Sequence, residues 1–136
     1  MKRAIVCGID GSPYSRAALV YATELADRLD ARLVLATVVE PARSRYATMV
    51  ERAAEGERLL GEVAETTGID RAEQRVVTGL PAERLADLAD DECAQLIVVG
   101  SRGRGALRSP LLGSVSISVI GLARCPVLVV PPGVVM

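Results

Sequence analysis

Leu96-Ile97-Val98-Val99-Gly100-Ser101-Arg102-Gly103, followed after nine residues by Gly113-Ser114, is the stretch on which the fold turns. A run of β-branched and aliphatic residues ending in glycine reads as a parallel strand buried on both faces and breaking into a loop. Glycine lets a backbone approach an anion closely, because no Cβ intervenes. The residues after Gly113 then open a helix whose first-turn N–H groups and positive dipole face the same point. Strand, glycine loop and helix N-terminus together make a phosphate site. Two better-known versions of that site are excluded. A P-loop needs a lysine after its second glycine, and the only lysine is Lys2. The dinucleotide fingerprint fails because Arg108 stands where its third glycine should be.

Working outward, five strand-like runs are expected: Ala4–Ile9, Leu33–Val39, Arg75–Thr78, Leu96–Val99 and Val127–Val130. The third is the weakest, with only Val76 and Val77 at its centre. Four helical patterns lie between them. The first has Ser12 as N-cap and Pro13 at the first helical position, with Ala18, Tyr21, Ala22, Leu25, Ala26 and Leu29 on one face. The second spans Tyr46 to Thr66 with Val50, Ala53, Leu60, Val63 and Ala64 inward, and Gly68 stops it. The third starts at Pro81 and carries Leu85, Leu88 and Ala89; the fourth follows Gly113. Alternating strands and helices without a linker or repeat predict one domain, residues 1–136: a three-layer doubly wound α/β sandwich with five parallel strands. In such sheets a ligand binds beyond the carboxyl ends of the strands, where their order reverses.

Composition narrows the function. Half the residues are hydrophobic, yet Phe and Trp are absent and the only aromatics are Tyr14, Tyr21 and Tyr46. The core is therefore aliphatic, and stacking platforms for single-stranded nucleic acid are missing. A net charge of −1 argues against nucleic-acid or membrane-surface partners. The charge is unevenly placed. The first 92 residues hold all 17 acids and carry −5, whereas the remainder carries +4 from Arg102, Arg104, Arg108 and Arg124. The positive end coincides with the glycine loop, although loop arginines also serve solubility alone. Cys7, Cys93 and Cys125 show no C-x-x-C spacing and sit in apolar contexts, which reads as buried free thiols in a reducing compartment. Histidine is absent, so metal ligation by imidazole is excluded. The short amino-terminal apolar run meets Asp10 and does not resemble a signal peptide, and Ser109–Ala123 is too short to span a bilayer. A cytoplasmic location is expected.

The pattern G-x2-G-x9-G-S, in the setting Gly100-Ser-Arg-Gly-Arg-Gly-Ala-Leu-Arg…Leu-Leu-Gly-Ser-Val-Ser, closely resembles the nucleotide-binding loop of the universal stress protein family. Ile9-Asp10-Gly11-Ser12-Pro13 and Cys125-Pro126-Val127-Leu128-Val129-Val130 resemble that family's two ends, so the likeness covers the whole chain. The resemblance implies an adenine nucleotide alpha hydrolase-like fold with strand order 3-2-1-4-5. It implies ATP as ligand, with Mg2+ or Mn2+ as the accompanying ion, and a role in the stress response. By the same likeness Asp10 meets the nucleoside, Val38 reads the adenine edge through its backbone, and Gly100 approaches the ribose. Gly103, Gly113 and Ser114 then cradle the phosphates, and Val115 and Ser116 add first-turn donors. Pro110 departs from the family's pattern; it stiffens the loop and removes one N–H.

On the residues alone, Asp10 is equally a turn aspartate and Val38 a core strand residue. Catalysis has little to work with: no histidine, no G-x-S-x-G elbow, and only Asp10 and Glu40 as bases near the pocket. A regulatory ATP-binding protein is the favoured reading, with a slow metal-dependent ATP hydrolase and a nucleotide-free interaction module as alternatives. The Val127–Val130 run is expected at a sheet edge, where it would pair with a second copy; the family pairs through this strand.

Overall fold

A computed structural model describes residues 2–41, 49–69, 71–102 and 112–131. Its elements are β1 (Ala4–Gly8), α1 (Pro13–Arg28), β2 (Arg32–Val39), α2 (Met49–Thr67), β3 (Glu73–Thr78), α3 (Pro81–Asp91), β4 (Ala94–Gly100), α4 (Ser114–Leu122) and β5 (Val127–Val130). The five strands form one sheet in the order β3-β2-β1-β4-β5, with every pair parallel. Both the strand count and the order agree with the sequence reading.

The uninterrupted apolar strands follow from coverage on both faces. Along β1 all five residues are buried, but they alternate between two cores. Ile5 and Cys7 pack with Ala18, Leu19 and Ala22 of α1 and Leu60 and Val63 of α2. Ala4 and Val6 pack instead with Leu85, Leu88 and Ala89 of α3 and Val119 of α4. Large aliphatics such as Ile5, Leu19, Leu35, Leu60 and Ile97 are fully buried, each contributing about 2 kcal/mol from apolar area alone. α1 is capped as its sequence requires: Ser12 Oγ accepts the Ser15 N–H at 3.2 Å, with Pro13 next. α2 ends at Thr67, where Gly68 (φ +71) allows Ile69 N–H to reach back to the Ala64 carbonyl at 3.0 Å.

Three expectations are amended, and a fourth falls outside the described residues. Val50 does not face inward; it is 80 % exposed in the first turn of α2, and the inward position near that end is Gly56. A Cβ on Gly56 would stand 2.9 Å from Val76 and 3.1 Å from Thr37, so glycine lets α2 lie close on β2 and β3. The expected start of this helix at Tyr46 lies outside the described residues. β3 begins earlier than Arg75, because Glu73 and Gln74 pair with Val34 and Leu35 and Glu73 is held by Arg32. Cys93 is exposed, not buried: it takes a left-handed conformation (φ 55) in the turn from α3 to β4, where its N–H reaches the Asp90 carbonyl. Cys7 is buried, and Cys125 partly so. Among the described residues no helix is long and apolar enough to cross a membrane.

Candidate functional site

α1 and α2 lie on one face of the sheet and α3 and α4 on the other. β1 and β4 stand at the centre, where the order reverses, and the carboxyl ends of β1, β2 and β4 open there into a cleft of about 930 Å³. Its floor includes Gly8–Asp10, Thr37–Glu40 and Gly100. Gly113, Ser114, Val115 and Ser116 close one end, and Arg52, Glu55 and Leu59 of α2 form the other wall.

Asp10 does the work of a turn aspartate and lines the cleft as well. Its Oδ1 accepts the Ser12 N–H at 2.9 Å across Gly11, whose φ of 84 favours glycine. Ser15 Oγ donates to the Ser12 carbonyl at 3.0 Å and accepts the Asp10 N–H at 3.4 Å. The aspartate is thus held by a short polar network at the head of α1.

Val38 lines the cleft near the end of β2. Ile9 N–H donates to the Ala36 carbonyl at 2.7 Å, so even-numbered residues of β2 turn their peptide groups toward β1. The Val39 carbonyl, one residue on, accepts Gly79 N–H on the opposite side. Alternation along the strand turns Val38 to the β1 side, just past the last β1 contact and into the cleft. Among the described residues its N–H and carbonyl have no sheet partner on that side.

Gly100 lines the cleft, but packing already requires it. A Cβ there would stand 2.7 Å from the backbone carbonyl of Tyr14, at the start of α1. Its own carbonyl accepts the Ser116 hydroxyl at 2.8 Å, so the buried Ser116 side chain pins α4 to the end of β4. What Ser116 offers a ligand is its N–H. Gly113 N–H donates to the Ser101 carbonyl at 2.7 Å, and Ser101 N–H to Val130 at 2.8 Å. These bonds bring the two ends of the glycine loop together beside β5. Gly113 is the N-cap of α4 and supplies no side-chain cap; the first N–H groups of a helix have no carbonyl within it to reach. Those of Ser114, Val115 and Ser116 therefore face the cleft end. Gly103, Arg104, Arg108 and Pro110 lie outside the described residues.

The sequence reading missed the α2 wall. Arg52, Glu55, Arg58 and Glu62 all line the cleft beside Glu40. Their spacing of three to four residues marks one helical face, which the sequence shows without showing what that face meets. Among the described residues no group of three Asp, Glu or Cys side chains could hold a metal ion. Asp10 offers a single carboxylate, which suits an ion brought in by a phosphate chain better than a resident one.

A parallel sheet whose order reverses beside a cleft at its carboxyl end defines a doubly wound α/β protein of the kind that binds ligands at the switch point. The universal stress protein family matches residues 1–131, and the chain belongs to that family. It is 34 % identical over 136 residues to the universal stress protein in the QAH/OAS sulfhydrylase 3′ region of Thermus aquaticus, covering 96 % of this chain and 99 % of that one. It is 32 % identical to universal stress protein Rv1636 of Mycobacterium tuberculosis, over 94 % and 95 % of the two chains. Among solved structures it resembles a universal stress protein in complex with cAMP, with 30 % identity, a TM-score of 0.71 and coverage of 95 % and 97 %. It also resembles a family member from Burkholderia pseudomallei, with 32 % identity, a TM-score of 0.72 and 96 % coverage of both chains.

Proposed function

We propose that this protein is a cytoplasmic regulatory protein of the stress response that binds an adenine nucleotide, ATP, at the carboxyl end of its sheet. The observation that carries the reading is the cleft itself. It joins the unused peptide groups of Val38 to the uncapped N-terminus of α4 across the Asp10 and Gly100 strand ends. The base sits against Val38, the ribose near Asp10 and Gly100, and the phosphates at Gly103, Gly113 and the N–H groups of Ser114, Val115 and Ser116. Any Mg2+ or Mn2+ arrives with the phosphates, and Asp10 at the end of β1 offers it a carboxylate. Likeness to a protein solved with cAMP supports adenine as the base. β5 pairs only with β4 among the described residues, and its outer edge joins that of a second copy in a homodimer.

Calorimetric titration of nucleotide-stripped protein with ATP–Mg2+, AMP and cAMP tests the reading, alongside a Gly113→Val/Ser114→Ala double variant. Gly113 has an ordinary φ of −66, so valine adds bulk at the helix mouth without opposing its backbone. Binding by the wild type and its loss in the folded variant are expected. No binding of any of the three to the wild type overturns the reading and favours a nucleotide-free interaction module.

A further inference from the structure

We propose that Arg52 is the group that closes the cleft over the base, its guanidinium lying against the ring. This rests on the reading above that an adenine nucleotide occupies the cleft. Arg52 is the fourth residue of α2, near the positive end of the helix dipole, where a cation is disfavoured. Its Nη1 donates to the Glu40 carbonyl at 3.4 Å, and its Nε is buried with no hydrogen-bond partner among the described residues. The side chain also lines the cleft.

The anchoring point locates it. Glu40 lies one strand repeat beyond Val38, about 7 Å further along the chain. A base held edge-on by the Val38 peptide would extend outward toward that anchor and lie beside the guanidinium. The α4 end belongs to β4, two strand spacings or about 10 Å from β2, so Arg52 stands at the base end and not with the phosphates. The described lining of the cleft contains no aromatic side chain. A guanidinium is the other planar group that stacks on a π-face, and its stem supplies apolar contact.

The test is the affinity of Arg52→Met and Arg52→Lys for cAMP, AMP and ATP, which share a base and differ in phosphate charge. Arg52→Met is expected to weaken all three by the same factor, roughly 5- to 30-fold. Arg52→Lys keeps the charge and a donor for the Glu40 carbonyl but lacks the plane, and it is expected to lose a similar factor. Losses that grow with phosphate number would place Arg52 on the phosphates and overturn the proposal. So would unchanged affinity in either variant with a melting temperature matching the wild type. If Arg52→Met fails to fold, Arg52→Lys decides by the same criterion. A wild type that binds none of the three overturns the underlying reading and this proposal with it; a binding wild type with an indifferent Arg52 overturns this proposal alone.

Discussion

At the scale of single residues, Gly100 and Gly61 separate two reasons for a glycine. A Cβ on Gly100 would meet the Tyr14 backbone at 2.7 Å, and backbone cannot yield as a side-chain tip can. Gly100→Ala is expected to destabilise the fold by ~1–3 kcal/mol in chemical denaturation. A Cβ on Gly61, inside α2, would meet nothing within 4 Å. Gly61→Ala should therefore stabilise by ~0.5–1 kcal/mol, since alanine favours a helix. Equal losses for both would refute the packing assignment. The sequence showed Gly100 as a loop glycine but not its neighbour, because Tyr14 is 86 residues away in the chain and only the fold joins them. The thiols divide in a similar way. Burial pushes the Cys7 thiol up to about 12, and burial also raises Cys125, aided by the Asp90 charge and opposed by Arg3. Cys93 is exposed. A thiol-specific reagent at pH 8 is expected to label Cys93 in the native protein and Cys7 only after unfolding, because the reactive species is the thiolate. Rapid labelling of Cys7 under native conditions would contradict the buried position of β1.

At the scale of elements, the strand ends opposite the cleft are tied by charge. Arg32 Nη1 lies 3.0 Å from Glu73 Oε2 and 3.5 Å from Glu92 Oε1, and Arg75 Nη2 lies 3.0 Å from each of these residues' Oε1 atoms. Arg32 Nη2 also donates to the Glu92 carbonyl at 2.8 Å. The cluster joins β2, β3 and the turn after α3, which explains how a strand opening on Glu73 and Gln74 holds its place. Burial alone would raise Glu73, but hydrogen bonds and charge from Arg32 and Arg75 outweigh it and hold the carboxyl below its ordinary range. A carboxylate lowered in the folded state contributes stability above its unfolded pKa and loses it as pH falls through the folded one. Acidification below about pH 4.5 should therefore erode this contribution. Glu73→Gln is expected to lower stability at pH 7 by ~0.5 kcal/mol, a modest figure because Glu73 is 37 % exposed. The gap between variant and wild type should narrow as the pH falls below about 4.5. A gap that widens on acidification would refute the sign. Helix existence was legible from apolar spacing, yet the inward face near the α2 start was misread at Val50. Periodicity counts side chains, and here the closest approach is made by Gly56, which has none.

At the scale of the whole molecule, strand order and the place of the cleft followed from alternation, family likeness and the switch-point rule. The charged α2 wall did not, because a polar helical face looks the same whether it meets solvent or a cavity. Among the described residues the fold leaves one edge of β5 unpaired. Ile97 N–H donates to the Pro126 carbonyl at 3.0 Å and Ser101 N–H to Val130 at 2.8 Å. Even-numbered residues of β5 thus face β4, and by alternation Val127 and Val129 turn their peptide groups outward. Val129→Pro removes an N–H that the sheet within the chain does not use, and its ring obstructs a strand arriving from outside. Replacing Leu128 the same way would instead remove a bond to β4 and damage the monomer. Sedimentation velocity at about 20 μM, above the micromolar constants common for transient pairs, reads the difference. The wild type is expected as a dimer, Val129→Pro as a folded monomer with an unchanged circular dichroism spectrum. A Val129→Pro protein that remains dimeric would move the interface off this edge. A wild type that sediments as a monomer would mean that the short length of β5, four residues, suffices to keep the edge unpaired.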